Sequence, residues 1–520
     1  MRPIQWLRFW HFRRTTRRLR ARGLPAVETL EPRALLALTA ELVHDIQPGA
    51  PGSSPGKLTD VNGTVFFTAA DGTNGTELWK SDGTSTGTVL VNNIRSGTNL
   101  GSGPNYLTNV NGTLFFAADD GTNGVELWKS DGTSAGTVLV EDIRTGGGSF
   151  PSQLTNVSGT LYFRANDGAN GFELWKSDGT SDGTVLVKDI WVGGNSDPFR
   201  LTNVNGTLFF RADNGSNGTE LWRSDGTSTG TVLVNDIRSG SNLGSSPDQL
   251  INLNGTLFFA ANNSTNGNEL WKSDGTSAGT VLVNDIRLGP GNSYVSYVTN
   301  VNGMLYFQAT DGSLGTELWK SDGTSTGTVL VNDIRSGFLG SSPKYFSNVN
   351  GTLYFSANDG TKGFELWKSD GTSLGTVLVK EIRDGAERSY PSRLTNVNGT
   401  LFFRANDGTN GYELWKSDGT STGTVLFKDI RPGTNLSSDI GPLTNVNGTF
   451  YFQANDGTSG VELWRLIDLP NYAPTDINVS ASSVAEKLAS GTTVGTFGTT
   501  DPPNRSAPWC RPTPADSGCS

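Results

Sequence analysis

The stretch Glu77-Leu78-Trp79-Lys80-Ser81-Asp82-Gly83-Thr84 decides how the chain is read, because it returns along most of the chain's length. Its tryptophan recurs as Trp128, Trp175, Trp222, Trp271, Trp319, Trp367, Trp415 and Trp464, at intervals of 47 to 49 residues. A period of that size marks a repeat architecture, in which each copy covers the apolar face of its neighbour. Outward from the tryptophan the spacing is strict. The first apolar residue of a unit lies 21 residues upstream (Leu58 for Trp79, Leu443 for Trp464), and in eight units an isoleucine follows 15 residues downstream, from Ile94 to Ile430. Length varies only between that isoleucine and the next unit, so rigid hairpins joined by adaptable crossings are expected.

In the unit that begins at Leu107, β-rich runs cover residues 107–110, 112–118, 125–129 and 137–143, separated by Asn111-Gly112, Asp120-Gly121 and Asp131-Gly132. Asn-Gly and Asp-Gly between such runs signal tight hairpins, because the turn needs positive φ. Four antiparallel strands per unit follow. Neighbouring residues of a strand face opposite ways, and here Leu114 and Phe116 oppose Phe115, so the sheet is apolar on both faces and must be covered on both.

The ends of the array are out of phase. Residues 41–46 match a fourth strand with no first three before it, and the last copy ends after Glu462-Leu463-Trp464-Arg465 with no fourth strand. The fold class expected is therefore all-β: a β-propeller of four-stranded antiparallel blades, nine in number, closed by the N-terminal strand. An open superhelical stack of the same sheets is the alternative, and it would need capped ends.

Formal net charge is -10, yet residues 1–22 hold eight arginines and no acid, so the remainder is strongly acidic and repels phosphate backbones. Nucleic acid is not an expected partner of the repeats. No run approaches the roughly 18 apolar residues that span a membrane, so no transmembrane segment is expected. Cys510 and Cys519 are the only cysteines, which leaves the repeats without disulfides or thiolate metal sites.

The unit resembles the family named for its own consensus, the ELWxxDGT repeat of bacterial exported and surface proteins, with the full motif at Glu77, Glu126, Glu173, Glu220, Glu269, Glu317, Glu365 and Glu413. Leu30-Glu31-Pro32-Arg33 followed by Leu35-Leu36 resembles a segment found after arginine-rich leaders in the same kind of protein. Near the carboxyl end, residues 471–502 resemble the opening of a cadherin-like domain, with Glu486 and Asp501 where that family places calcium ligands. These resemblances imply an extracellular or cell-surface location and no established enzymatic activity. The domains expected are a basic leader over 1–40, the repeats over 41–465, a linker with a truncated cadherin-like fragment over 466–502, and a tail over 503–520.

Within the motif, structural roles are expected for Glu77, Trp79, Asp82, Glu126, Trp128, Asp131, Glu173, Trp175, Asp178, Glu220, Trp222 and Asp225. The tryptophans recur at fixed strand phase and read as core. A glutamate on their face must be hydrogen-bonded if buried, to backbone N–H groups of a turn or along a channel, and the aspartates read as turn formers. Calcium at the Asp-Gly turns is an alternative, although the EF-hand ladder is missing; otherwise no cofactor is expected. Nine near-identical units supply the same groups nine times, which gives enzyme chemistry little footing. Copy-to-copy differences point instead to a binding surface built from Trp191, Phe199, Tyr294, Tyr297, Phe338, Tyr345, Arg388 and Tyr390, on crossing loops. The function expected is a non-catalytic surface or adhesion scaffold that binds polysaccharide or protein, with an extracellular carbohydrate-active enzyme or a calcium-binding surface protein as alternatives.

Overall fold

The computed structural model describes residues 37–469 apart from Ala386, together with two short strands nearer the carboxyl end. The first blade pairs Gly56–Val61, Thr64–Ala70, Thr76–Ser81 and Val89–Asn92 in that order, antiparallel throughout. Asn62 and Gly63, at φ 52° and 82°, make the tight turn that the Asn-Gly pair predicts. Seven more blades repeat this order. The ninth is built from Thr444–Val446, Thr449–Asn455 and Val461–Leu469, and its outermost strand is Ala37–His44 from the start of the array. The expected propeller of nine four-stranded blades is what forms, and the open stack is excluded.

The core is a set of layers between blades, because alternate residues of one strand face opposite neighbours. Phe66 packs with Leu78 and Val91 of its own blade against Leu114, Phe116 and Trp128 of the second blade. Phe67, one residue on, packs with Trp79 against Val43, Ile46, Tyr451 and Leu463 of the ninth. That last layer joins the two ends of the array and makes the ring continuous. Fully burying a phenylalanine contributes about 1.5 to 3 kcal/mol, and Phe67, Phe116, Phe163, Phe210, Phe259, Phe307, Phe355, Phe403 and Phe452, one per blade, are all fully buried.

Because strands alternate in direction, the crossings from outermost to innermost strand emerge at the same end of the ring as the turns between second and third strands. The Asn-Gly turns lie at the other end. At the crossing end the innermost strands of the first eight blades carry a bulge: in the first blade Gly56 pairs with Thr68 but Thr59 with Phe66, leaving Lys57 and Leu58 outside regular pairing. The ninth blade has no such shift and a shorter innermost strand. Pro442 stands at its bulge position, and the pyrrolidine ring fixes φ near -65° and cannot enter the left-handed region.

The closing strand begins at Ala37, ahead of residue 41 where the repeats were expected to start. The arginine-rich leader up to residue 36, Glu486, Asp501, Cys510 and Cys519 lie outside the described residues. Ile477–Val479 and Phe497–Thr499 pair antiparallel as a unit of their own. Among the described residues no helix is long and apolar enough to cross a membrane.

Candidate functional site: the crossing end of the ring

The motif residues build the frame of this end. All nine motif tryptophans are 6–9 % exposed and sit in the layers between blades. The motif glutamates are fully buried, and each reaches across to the crossing that leaves its own blade. Glu173 accepts from the backbone N–H of Ile190 at 2.9 Å, the N–H of Ser196 at 2.8 Å and the Ser196 hydroxyl at 2.6 Å. Glu462 does the same across the junction of the ring, taking N–H groups of Ile46, Gln47 and Ser53 and the Ser53 hydroxyl. Burial pushes these carboxyls up, to about 7 for Glu126, Glu173, Glu269, Glu317, Glu365 and Glu413, against the opposing pull of the donors. Asp82, Asp131, Asp178 and Asp225 each fold back on the threonine two residues on, whose N–H and hydroxyl hold the carboxylate below its ordinary range.

The serine held by each glutamate is followed by a residue in the left-handed region. In chain order these are Ser54, Gly103, Phe150, Asp197, Ser246, Tyr294, Ser342, Tyr390 and Asp439. Three residues further on, at the bulge, comes a second left-handed position, occupied by Lys57, Tyr106, Gln153, Arg200, Gln249, Tyr297, Tyr345 and Arg393 at φ 55–59°. Positive φ costs a bulky residue of order 1 to 3 kcal/mol, whereas glycine or asparagine would adopt it readily. Neither occurs at any of these eight bulges, although the Asn-Gly turns of the same ring use both freely.

Because the innermost strands of successive blades touch around the ring, the eight bulge residues form a collar about its axis, and several interact. The Gln153 side chain accepts from the N–H of Arg200, and Gln249 from that of Tyr297. Arg200 pairs with Asp248 at 2.5 Å, and the rings of Tyr297 and Tyr345 meet edge-on at 6.2 Å. Between neighbouring blades, outside the collar, lie open clefts. One of about 330 Å³ is lined by Tyr345, Tyr390, Ser392, Arg404 and Tyr412. There the Arg404 guanidinium sits 4.2 Å from the Tyr412 ring centre. Tyr390 stacks on Phe364 at 5.6 Å, and its hydroxyl takes a 2.6 Å hydrogen bond from Arg388. Burial lowers the Arg404 pKa and raises that of Tyr412.

Of the binding residues expected from sequence, the structure brings Tyr345, Tyr390 and Arg388 together at this cleft. It sets Tyr297 beside Tyr345, and Tyr294 in a second cleft with Asp248 and Gln249. Phe199 lies under Arg211 and Arg200. Trp191 belongs to the packing: its ring lies against Gly194 and Gly215, where other blades press an arginine such as Arg95 or Arg335 onto the next blade's glycine. Phe338 stands alone at 83 % exposure. Sequence reasoning missed Arg404, Tyr412 and the collar outside Tyr297 and Tyr345. The residue before each unit's first apolar position varies between copies, while Thr-Asn-Val just beyond it is kept in six of nine, and that contrast was the available signal.

His44 lies 2.7 Å from the Ser85 hydroxyl. The pair reads as a latch between blades and not as a nucleophile and base, because Asn92 with Ser134, Asn235 with Ser277 and Asn332 with Ser373 occupy the same positions elsewhere in the ring. Among the described residues no group of three or more His, Cys, Asp or Glu side chains is placed to hold a metal ion.

No family model and no curated protein matches the chain. Solved structures do. A structural and mechanistic study of two prolyl endopeptidases gives a structure 13 % identical, with a TM-score of 0.38, over 64 % of this chain and 50 % of that one. A puromycin hydrolase is 14 % identical with a TM-score of 0.33, over 70 % and 60 %. A puromycin-hydrolysing peptidase of Mycobacterium tuberculosis is 12 % identical with a TM-score of 0.33, over 60 % and 53 %. The chain thus spans 50 to 60 % of the length of these proteins. Peptidases and puromycin hydrolases stand where adhesion proteins were expected, so the reading as a non-catalytic surface or adhesion scaffold is corrected. They weigh only weakly against the expectation of no enzymatic activity, and at these values the likeness carries no activity over to this chain.

Proposed function

We propose that the ring is a peptide-handling propeller, whose collar and adjoining clefts take up short peptides at the crossing end for processing. The observation that supports this is the collar itself: eight strained positions filled with Lys, Tyr, Gln, Arg, Gln, Tyr, Tyr and Arg in turn. Strain kept at a position where glycine would relieve it points to use of the side chain. The variety points to the kind of ligand. A polymer of identical units would be met by identical contacts in each blade, and such sameness is seen only toward the far end of the innermost strand, which closes on Thr-Asn-Val in six of nine copies. Cationic, amide and phenolic groups placed side by side suit instead a chain with mixed side chains and charged ends. The proposal rests on this geometry and not on the distant likeness to peptidases.

The test is calorimetric titration of the full chain with a pool of tetrapeptides of mixed sequence. Saturable binding is expected, and it is lost in the double variant Tyr297→Gly/Tyr345→Gly while the fold persists. No heat from the intact protein, or binding unchanged in the variant, would overturn the reading.

A further inference from the structure

Three blades carry an arginine at the same point of their second strand: Arg164, Arg211 and Arg404. Each has an aromatic ring beside its guanidinium, Phe172 at 3.7 Å, Phe199 at 4.9 Å and Tyr412 at 4.2 Å. Their polar partners differ. Arg164 gives two hydrogen bonds to Asp197, at 2.6 and 3.1 Å, and a third to Ser152. Arg211 donates to the carbonyl of Pro247 at 3.4 Å. Among the described residues Arg404 makes neither an ion pair nor a hydrogen bond, and its Nε is buried without a partner. A buried donor left unpaired is costly, and a guanidinium's fork is shaped to take a carboxylate by two parallel bonds.

The walls around this fork are fixed. Tyr390 is held by its stack on Phe364 and by Arg388 on its hydroxyl. The crossing behind it is held by Glu365, which accepts from the N–H of Ser389 at 3.1 Å and its hydroxyl at 2.6 Å. Tyr345 closes the collar side, braced against Tyr297. The cleft therefore offers a guanidinium with no direct ion pair or hydrogen bond between ring faces, on which Asp439, Glu413 and Arg393 act only through space. That combination fits a terminal carboxylate attached to a bulky apolar residue.

We propose that the cleft lined by Tyr345, Tyr390, Ser392, Arg404 and Tyr412 binds the free C-terminal carboxylate of a peptide, with Arg404 as the carboxylate fork and the tyrosines around the last side chain. This deepens the reading of the crossing end as a peptide site and rests on it. Peptides are then taken end-on, and the collar meets the residues that precede the terminus. Arg164 cannot serve in the same way, because Asp197 already occupies its fork.

The test uses N-acetyl-phenylalanine and its amide as probes, titrated into the full chain at neutral pH. The acid is expected to bind about tenfold more tightly than the amide, as befits a charge-assisted bond. R404Q should bring the acid down to the level of the amide, R404K should recover part of the difference, and R211Q should change nothing. Acid and amide binding alike, or acid binding unchanged in R404Q, would overturn the inference. If the tetrapeptide pool still binds in that event, the peptide reading survives it; if neither pool nor acid binds, both fall. The acid–amide comparison on the unmodified protein needs no variant to fold.

Discussion

The third strand and the innermost strand of each blade carry opposite lessons. In the third strand Glu-Leu-Trp is kept in all nine copies, and every one of those side chains is buried. In the innermost strand the eight strained bulge positions alternate among Lys, Tyr, Gln and Arg, at or near the surface, on a backbone that is otherwise repeated. Constancy here belongs to what builds the ring. Variation under strain belongs to what the ring presents. The two are coupled, because the glutamate of the constant strand pins the serine from which the variable surface starts.

The sharpest way to break this division is to damage the constant part. Phe67→Ala removes a fully buried ring from the layer that closes the circle, and should cost about 3 to 5 kcal/mol in chemical denaturation; a loss under 1 kcal/mol would mean that closure contributes little. Glu365→Ala leaves the buried donors of Ile382 and Ser389 without an acceptor, and should cost about 3 kcal/mol. It should also loosen Tyr390, visible as a drop in affinity for the acid probe, which Trp175→Ala at a distant junction should not produce.

The pH dependence tests the same glutamates without mutation. Burial raises them to about 7 in six blades, from an ordinary value of 4.5. Between those values the folded ring binds more protons than the unfolded chain, so stability falls as pH rises through this window. Thermal melts should therefore give a Tm that declines from pH ~5 to ~8, and a Tm rising over that range would contradict the assignment. The smallest effect is the most diagnostic of strain. Lys57→Gly should raise stability by up to about 1 kcal/mol by relieving positive φ, whereas glycine in place of the buried Leu78 should strongly destabilise.

Much of the fold was legible because its signals are local and repeated. Asn62-Gly63 specifies a turn, Phe66-Phe67 specifies two covered faces, and the offset of residues 41–46 against Glu462–Arg465 specifies closure. The site was less legible. Tyr345 and Tyr390 stand out in a sequence because they are aromatic in a loop, but Arg404 lies inside a strand, and its meaning depends on Asp439, at the position that Asp197 holds beside Arg164, forming no ion pair with it. Trp191 misled for the converse reason: a large ring in a crossing reads as a platform until the glycine it covers, Gly215, is seen on the next blade. The left-handed backbone of the collar has no residue signature, since none of its eight side chains favours that conformation.

Hydrogen exchange with and without the tetrapeptide pool tests the central claim most directly. Binding at the collar predicts slowed exchange over residues 341–346 and 389–394, where the crossings enter the seventh and eighth blades, with the opposite end of the ring unchanged. Protection confined to the Asn-Gly and Asp-Gly turns of that opposite end, around 349–352 and 369–376, would contradict it.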